Sequence, residues 1–115
     1  MNILVIDDEI DICEVLELAL SLEGYGVQAA HNRESALRLA QEAAPEIILL
    51  DYRMPDLDAR DFVAQLKAQN IQAPVVLMTG ANDAADKAKE LGFEHVLCKP
   101  FDLEAMLSLI RKIVA

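Results

Sequence analysis

The first 32 residues contain neither lysine nor arginine, yet they carry seven acids: Asp7, Asp8, Glu9, Asp11, Glu14, Glu17 and Glu23. Over the full 115 residues there are 10 Lys+Arg against 20 Asp+Glu, a formal net charge of −10, so most of the excess sits in this first quarter. A chain without a basic surface cannot displace phosphate counterions, which argues against direct nucleic-acid binding. It argues equally against docking on an anionic membrane. Cysteine is scarce: Cys13 and Cys98 lie far apart and outside any CxxC spacing, so neither a disulfide framework nor a zinc site is expected, and both read as small buried hydrophobes. Long apolar runs are missing too. The longest, IILL and PVVLM, fall far short of the ~20 residues that cross a bilayer. The opening MNILVIDDEI is too short and too acidic for a secretory signal, which places the expected protein in the cytoplasm. No low-complexity segment or linker interrupts the chain, and its length suits one domain over residues 1–115.

What is present is a regular alternation. NILVI (2–6), VQAA (27–30), EIILL (46–50), PVVLM (74–78) and HVLC (95–98) are short apolar runs of strand character. Helical spacing fills the gaps. After the first run, Ile12, Leu16, Ala19 and Leu22 form an apolar stripe that Gly24 closes as a C′ glycine. Asn32 caps a helix to about Glu42 with Leu37 and Ala40 facing inward, and Pro45 follows it. A third helix starts near Asp58 with Phe62, Val63 and Leu66, and a fourth covers about Asp83 to Leu91. Asp102 caps the last, which bears Leu103, Met106, Leu107, Ile110 and Ile113. Strands alternating with helices predict an α/β fold with a parallel sheet covered on both faces. In such sheets the functional crevice lies at the carboxyl ends of the strands.

The polar residues at those ends are Asp7 and Asp8 after the first strand, Asp51 after the third, Thr79 after the fourth and Lys99 after the fifth. The second strand contributes nothing comparable, as expected of an edge strand. Three carboxylates at one rim repel each other and ask for a cation, and oxygen ligands suit magnesium. Lys99 supplies an ammonium for a phosphoryl oxygen or a carboxylate, and Thr79, followed by the small Gly80 and Ala81, offers an accessible hydroxyl. A carboxylate can act as nucleophile toward phosphorus, forming an aspartyl-phosphate. Asp7 and Asp8 alone would read as helix-end acids, and Lys99 alone as a loop lysine. Glu9 and Asp11 read as first-turn charges, and Glu14 and Glu17 as a solvated face. His31 and His95 read as ordinary polar residues, with no thiol or second imidazole spaced to join them. Met54, three residues after Asp51, reads as exposed.

The segments ILVIDDE, IILLDYRMPDLD, VVLMTGA and VLCKPF, in that order, resemble the receiver domain of two-component response regulators over essentially the whole chain. The resemblance implies a flavodoxin-like (βα)5 fold with strand order 2-1-3-4-5. It implies that Asp51 accepts a phosphoryl group from a sensor histidine kinase or phosphotransfer protein, and that Asp7, Asp8, Asp51 and the Arg53 carbonyl hold Mg2+. Thr79 and Lys99 would contact the phosphoryl group, and the Lys99-Pro100 peptide would be cis. A downstream protein partner or fused output domain would read the state through the last two helices and the fifth strand. The domain would catalyse only its own phosphorylation and hydrolysis. Four positions depart from the family pattern. Val96 stands where a switch aromatic is usual, Ala59 where glycine is usual, and Arg53 and Ala81 set an unusual pair along the water approach that governs phosphoryl lifetime. Val96 and Ala59 leave a phosphorylation-independent scaffold as an alternative. An aspartate-nucleophile phosphohydrolase is a further alternative, disfavoured because its D-x-D pattern is replaced here by Asp7-Asp8-Glu9.

Overall fold

The computed structural model describes residues 1–80, 89–90, 92–99 and 102–114. Five parallel strands, β1 (Asn2–Ile6), β2 (Gly26–Ala30), β3 (Ile47–Asp51), β4 (Val75–Thr79) and β5 (His95–Cys98), form one sheet in the order β2-β1-β3-β4-β5. This is the expected flavodoxin-like order, with β2 and β5 at the edges. Four helices are described: α1 (Ile10–Leu22), α2 (Arg33–Glu42), α3 (Ala59–Ala68) and α4 (Leu103–Val114). The helix expected from about Asp83 to Leu91 falls outside the described residues, apart from helical Lys89 and Glu90.

The pleat sorts each central strand between two cores. From β1, Leu4 and Ile6 join the layer that contains Ala36 of α2 and Phe62 and Leu66 of α3. Ile3 and Val5 enter the opposite layer, with Leu16 of α1 and Met106 and Ile110 of α4. β3 repeats the division, with Ile48 and Leu50 on one side and Ile47 and Leu49 on the other. Burial on both faces is why these strands are uninterrupted apolar runs. Phe62 is fully buried, and truncating it to alanine would cost about 3–5 kcal/mol.

Helix ends follow local chemistry. The Asn32 side chain accepts the Ser35 N–H at 2.9 Å and the Asp58 side chain accepts that of Asp61 at 3.0 Å, both N-caps. α1 ends in a Schellman motif: Gly24 (φ +90°) donates to the Ser21 carbonyl at 3.0 Å and Tyr25 to that of Leu20 at 3.2 Å. Asp102 caps α4 by accepting the Glu104 N–H at 3.0 Å.

Several expected positions shift. α1 buries Cys13, Leu16 and Leu20, whereas Leu22 is 78% exposed and Ile12 and Ala19 are half-buried. The helix carries apolar residues around most of its circumference, so periodicity alone does not choose the buried face. α2 buries Ala36 and Ala40, while Leu37 is only half-buried, and Leu103 at the start of α4 is exposed. Met54 is buried, joined to Leu57 by an isolated bridge. Cys13 is buried as expected but Cys98 is exposed, because it ends an edge strand. Ala59 is the buried first residue of α3 with no positive φ, so its backbone conformation needs no glycine.

Candidate functional site

The parallel register brings the strand ends to one rim. β1 pairs with β3 through Ile6↔Leu50, which places Asp7 and Asp51 one residue beyond that pair. Asp51 pairs with Met78, leaving Thr79, fully buried, one residue further along β4. Thr79 pairs with Cys98, and its carbonyl accepts the Lys99 N–H at 2.6 Å. Lys99 is thereby carried to the carboxylates, although the chain separates it from Asp7 by 92 residues.

Ligand oxygens of Asp7, Asp8 and Asp51 all lie within 4.8 Å of one another, the one group of its kind among the described residues. Asp7 is fully buried, Asp51 is 4% exposed and Asp8 is exposed. Lys99 Nζ donates to Asp7 Oδ2 at 2.8 Å and pairs with Asp51 Oδ1 at 3.3 Å. Asp7 Oδ1 accepts the Glu9 N–H at 3.0 Å. Glu9 itself stands at the α1 N-cap without a side-chain cap. The Arg53 N–H reaches Asp51 Oδ1 only at 3.4 Å. A cleft of about 280 Å³ opens over the cluster, lined by Asp8, Glu9, Asp51, Arg53, Gly80 and Lys99.

Burial raises the Asp51 carboxyl above its ordinary value of 3.8, and the Asp7 charge raises it further, with Lys99 and the Arg53 N–H opposing. Burial pulls the Lys99 ammonium down, but the hydrogen bond to Asp7 and the Asp51 charge outweigh it and leave the group above its ordinary 10.5. One lysine against three carboxylates leaves the pocket anionic. Oxygen donors with one carboxylate open to solvent suit a hard, partly hydrated cation such as magnesium.

Five sequence-expected residues therefore meet at the rim: Asp7, Asp8, Asp51, Thr79 and Lys99. Arg53 is exposed at the mouth of the cleft. Val96 lies half-buried on β5, packed against the layer under α2 and α3. Ala81 and Pro100, with the expected cis peptide, fall outside the described residues. Two features were missed. Glu9 lines the cleft as well as starting α1, a role its first-turn position concealed. His31, immediately after β2, places Nδ1 3.2 Å from the Asp7 carbonyl and 3.6 Å from Cys13 Sγ. The second strand thus does reach the site, and a thiol does stand beside an imidazole. Their separation of 18 residues gave no spacing signal.

Residues 3–111 match the family described as response regulator receiver domain. The chain belongs to that family. The receiver is 35% identical to an uncharacterized transcriptional regulatory protein, YkoG, of Bacillus subtilis, over 96% of this chain and 49% of that protein. It is 34% identical to the transcriptional regulatory protein KdpE of Mycobacterium tuberculosis, over 97% and 50% respectively. It therefore spans about half the length of these curated relatives. Among solved structures, the signal receiver domain of a response regulator from Bermanella marisrubri superimposes with a TM-score of 0.89 at 31% identity, covering 99% of this chain and 98% of that one. The chemotaxis response regulator CheY4 of Vibrio cholerae gives a TM-score of 0.87 at 28% identity, with 97% of each chain covered. Receivers are signalling modules of two-component systems rather than metabolic enzymes, and phosphoacceptance is the family role. The family typically binds Mg2+ at an acidic pocket, and the aspartate cluster here is of that kind. Among the described residues, no helix is long and apolar enough to cross a membrane.

Proposed function

We propose that residues 1–115 act as one receiver in which Asp51 is the phosphoacceptor. The observation that carries this reading is the position of Asp51: of the two buried carboxylates among the described residues, it alone lines the cleft, beside Lys99. An Asp51 carboxylate oxygen attacks phosphorus of a phosphohistidine, a P–O bond forms as the P–N bond breaks, and the imidazole leaves. Lys99 stabilises the charge on the acceptor and on the phosphoryl oxygens, and the Thr79 hydroxyl hydrogen-bonds one of those oxygens. Asp8, Asp51 and the Arg53 carbonyl would hold Mg2+ directly, with Asp7 acting mainly through water. When bound, the ion neutralises the carboxylates and the charge on the transferring group. Hydrolysis by water entering past Arg53 and Ala81 returns the carboxylate.

The donor is a sensor histidine kinase or a phosphotransfer protein, and the setting is the cytoplasm. α1 stands beside the cleft with Ile10, Val15 and Leu18 more than half exposed. Exposed Glu14 and half-buried Glu17 lie on the same helix, and together these residues form the face offered to the donor. Phosphorylation changes the affinity of a downstream protein partner or fused output domain. The test is intact-mass spectrometry after incubation with acetyl phosphate, with and without Mg2+. A single phosphoryl adduct that needs the metal is expected. An adduct formed equally without magnesium, or retained in Asp51→Asn, overturns the assignment.

A further inference from the structure

The Asp7 carbonyl receives two side-chain donors from different elements. β1 and β2 remain paired one step past the strand, with the Asp7 N–H donating to the Ala30 carbonyl at 3.1 Å. His31 comes next, and its Nδ1 lies 3.2 Å from the Asp7 carbonyl oxygen. A carbonyl only accepts, so Nδ1 carries the hydrogen. Cys13, on the buried face of α1, donates its S–H to the same oxygen at 3.5 Å.

That carbonyl belongs to the peptide whose N–H is Asp8's. Fixing the peptide plane fixes where the Asp8 Cα stands, from which its side chain departs. Asp8 depends on this support: it is exposed, and among the described residues no hydrogen bond holds its carboxylate. Asp7 is already held through both carboxylate oxygens, by Lys99 and by the Glu9 N–H.

We propose that His31, acting with Cys13, is a positioning residue that clamps the Asp7–Asp8 peptide and so sets the Asp8 carboxylate against Asp51 for cation binding. This rests on the reading of the pocket as a magnesium-dependent phosphoacceptor site. The clamp is two contacts removed from the ion, in the manner of outer groups that orient metal ligands. It gives the edge strand β2 a part in the site although it carries no ligand.

The test is an amide NMR titration with Mg2+ on the parent, His31→Ala and His31→Asn. In asparagine, Nδ2 stands as many bonds from Cβ as Nδ1 does in histidine, so a donor returns to the same reach. His31→Ala should weaken magnesium affinity about tenfold and leave the acetyl phosphate reaction near the parent rate once magnesium saturates. His31→Asn should recover most of the affinity. Thermal unfolding of each variant separates this from a loss of fold, which would lower the saturated rate as well. Equal magnesium affinity in His31→Ala and the parent overturns the proposal alone, as does a failure of asparagine to restore it. A parent that binds no magnesium overturns the reading of the pocket, and the proposal with it.

Discussion

Two carboxylates end neighbouring strands, β1 and β3, yet the fold treats them differently. Every polar atom of Asp7 is engaged: its N–H by Ala30, its carbonyl by His31 and Cys13, Oδ1 by Glu9 and Oδ2 by Lys99. Among the described residues the Asp51 carboxylate has only two long contacts, 3.3 Å to Lys99 and 3.4 Å to the Arg53 N–H, and both fall on Oδ1. Asp7 is enclosed while Asp51 faces the cleft. The difference teaches which one can react. A carboxylate held through both oxygens is an anchor, whereas one held on a single side can turn the other oxygen toward an incoming group.

The strongest way to break this contrast is to remove each carboxylate in turn. Asp51→Asn should abolish the acetyl phosphate adduct, a loss of roughly a thousandfold or more. Asp7→Asn should keep the adduct on Asp51 and slow its formation by about ten- to a hundredfold. Mass spectrometry with peptide mapping reads both, and an adduct that migrates to Asp7 would undo the distinction.

Stability should part them by sign. Asp51→Asn relieves a buried, weakly compensated charge and should stabilise the fold by about 1 kcal/mol at neutral pH. Lys99→Met strands two buried anions and should cost about 3–5 kcal/mol. Asp7→Asn should destabilise, though less than Lys99→Met, because Lys99 retains Asp51. Urea unfolding of the three variants orders them, and a destabilised Asp51→Asn would contradict the contrast.

The pH dependence sharpens it further. The folded Asp51 carboxyl lies above its ordinary 3.8, so the native state binds more protons than the unfolded chain just above that value. Its contribution therefore falls as pH rises from 3.8 through the folded value. Asp51→Asn should remove that fall. Lys99 acts at the other end: its contribution is complete below 10.5 and is lost as pH rises through its raised folded value. Stability curves of parent and variant, measured by denaturant titration across pH, check both signs.

The smallest expected effect is at Arg53, which stands at the mouth of the cleft beside Asp51. Arg53→Ala should change the lifetime of the aspartyl-phosphate by a few fold, roughly 1 kcal/mol in the barrier to hydrolysis. Equal dephosphorylation rates in variant and parent would remove Arg53 from the account.

Much of this was legible in order along the chain. NILVI read as a strand from its β-branched apolar run and EIILL as one buried on both faces, and both are interior to the sheet. Asp7, Asp8, Asp51, Thr79 and Lys99 could be placed together because residues at the carboxyl ends of parallel strands must share one rim. Asn32, Asp102 and Gly24 carried local chemistry that needs no distant partner, and each plays its expected part at a helix end.

Other features depended on what lies across space. The apolar residues of α1 do not specify a face, and only packing against β1 and α4 buried Cys13, Leu16 and Leu20 rather than Leu22. Met54 is buried although it follows a polar loop, and Cys98 is exposed because it ends an edge strand. The sequence by itself determined which residues reach the rim, since strand ends and helix caps are encoded within a few residues of each other. Only the tertiary structure decided how they are shared there. Lys99 favours Asp7 over Asp51, and His31 and Cys13 converge on one carbonyl. Such choices are made by distances between elements far apart in the chain, which local pattern does not encode.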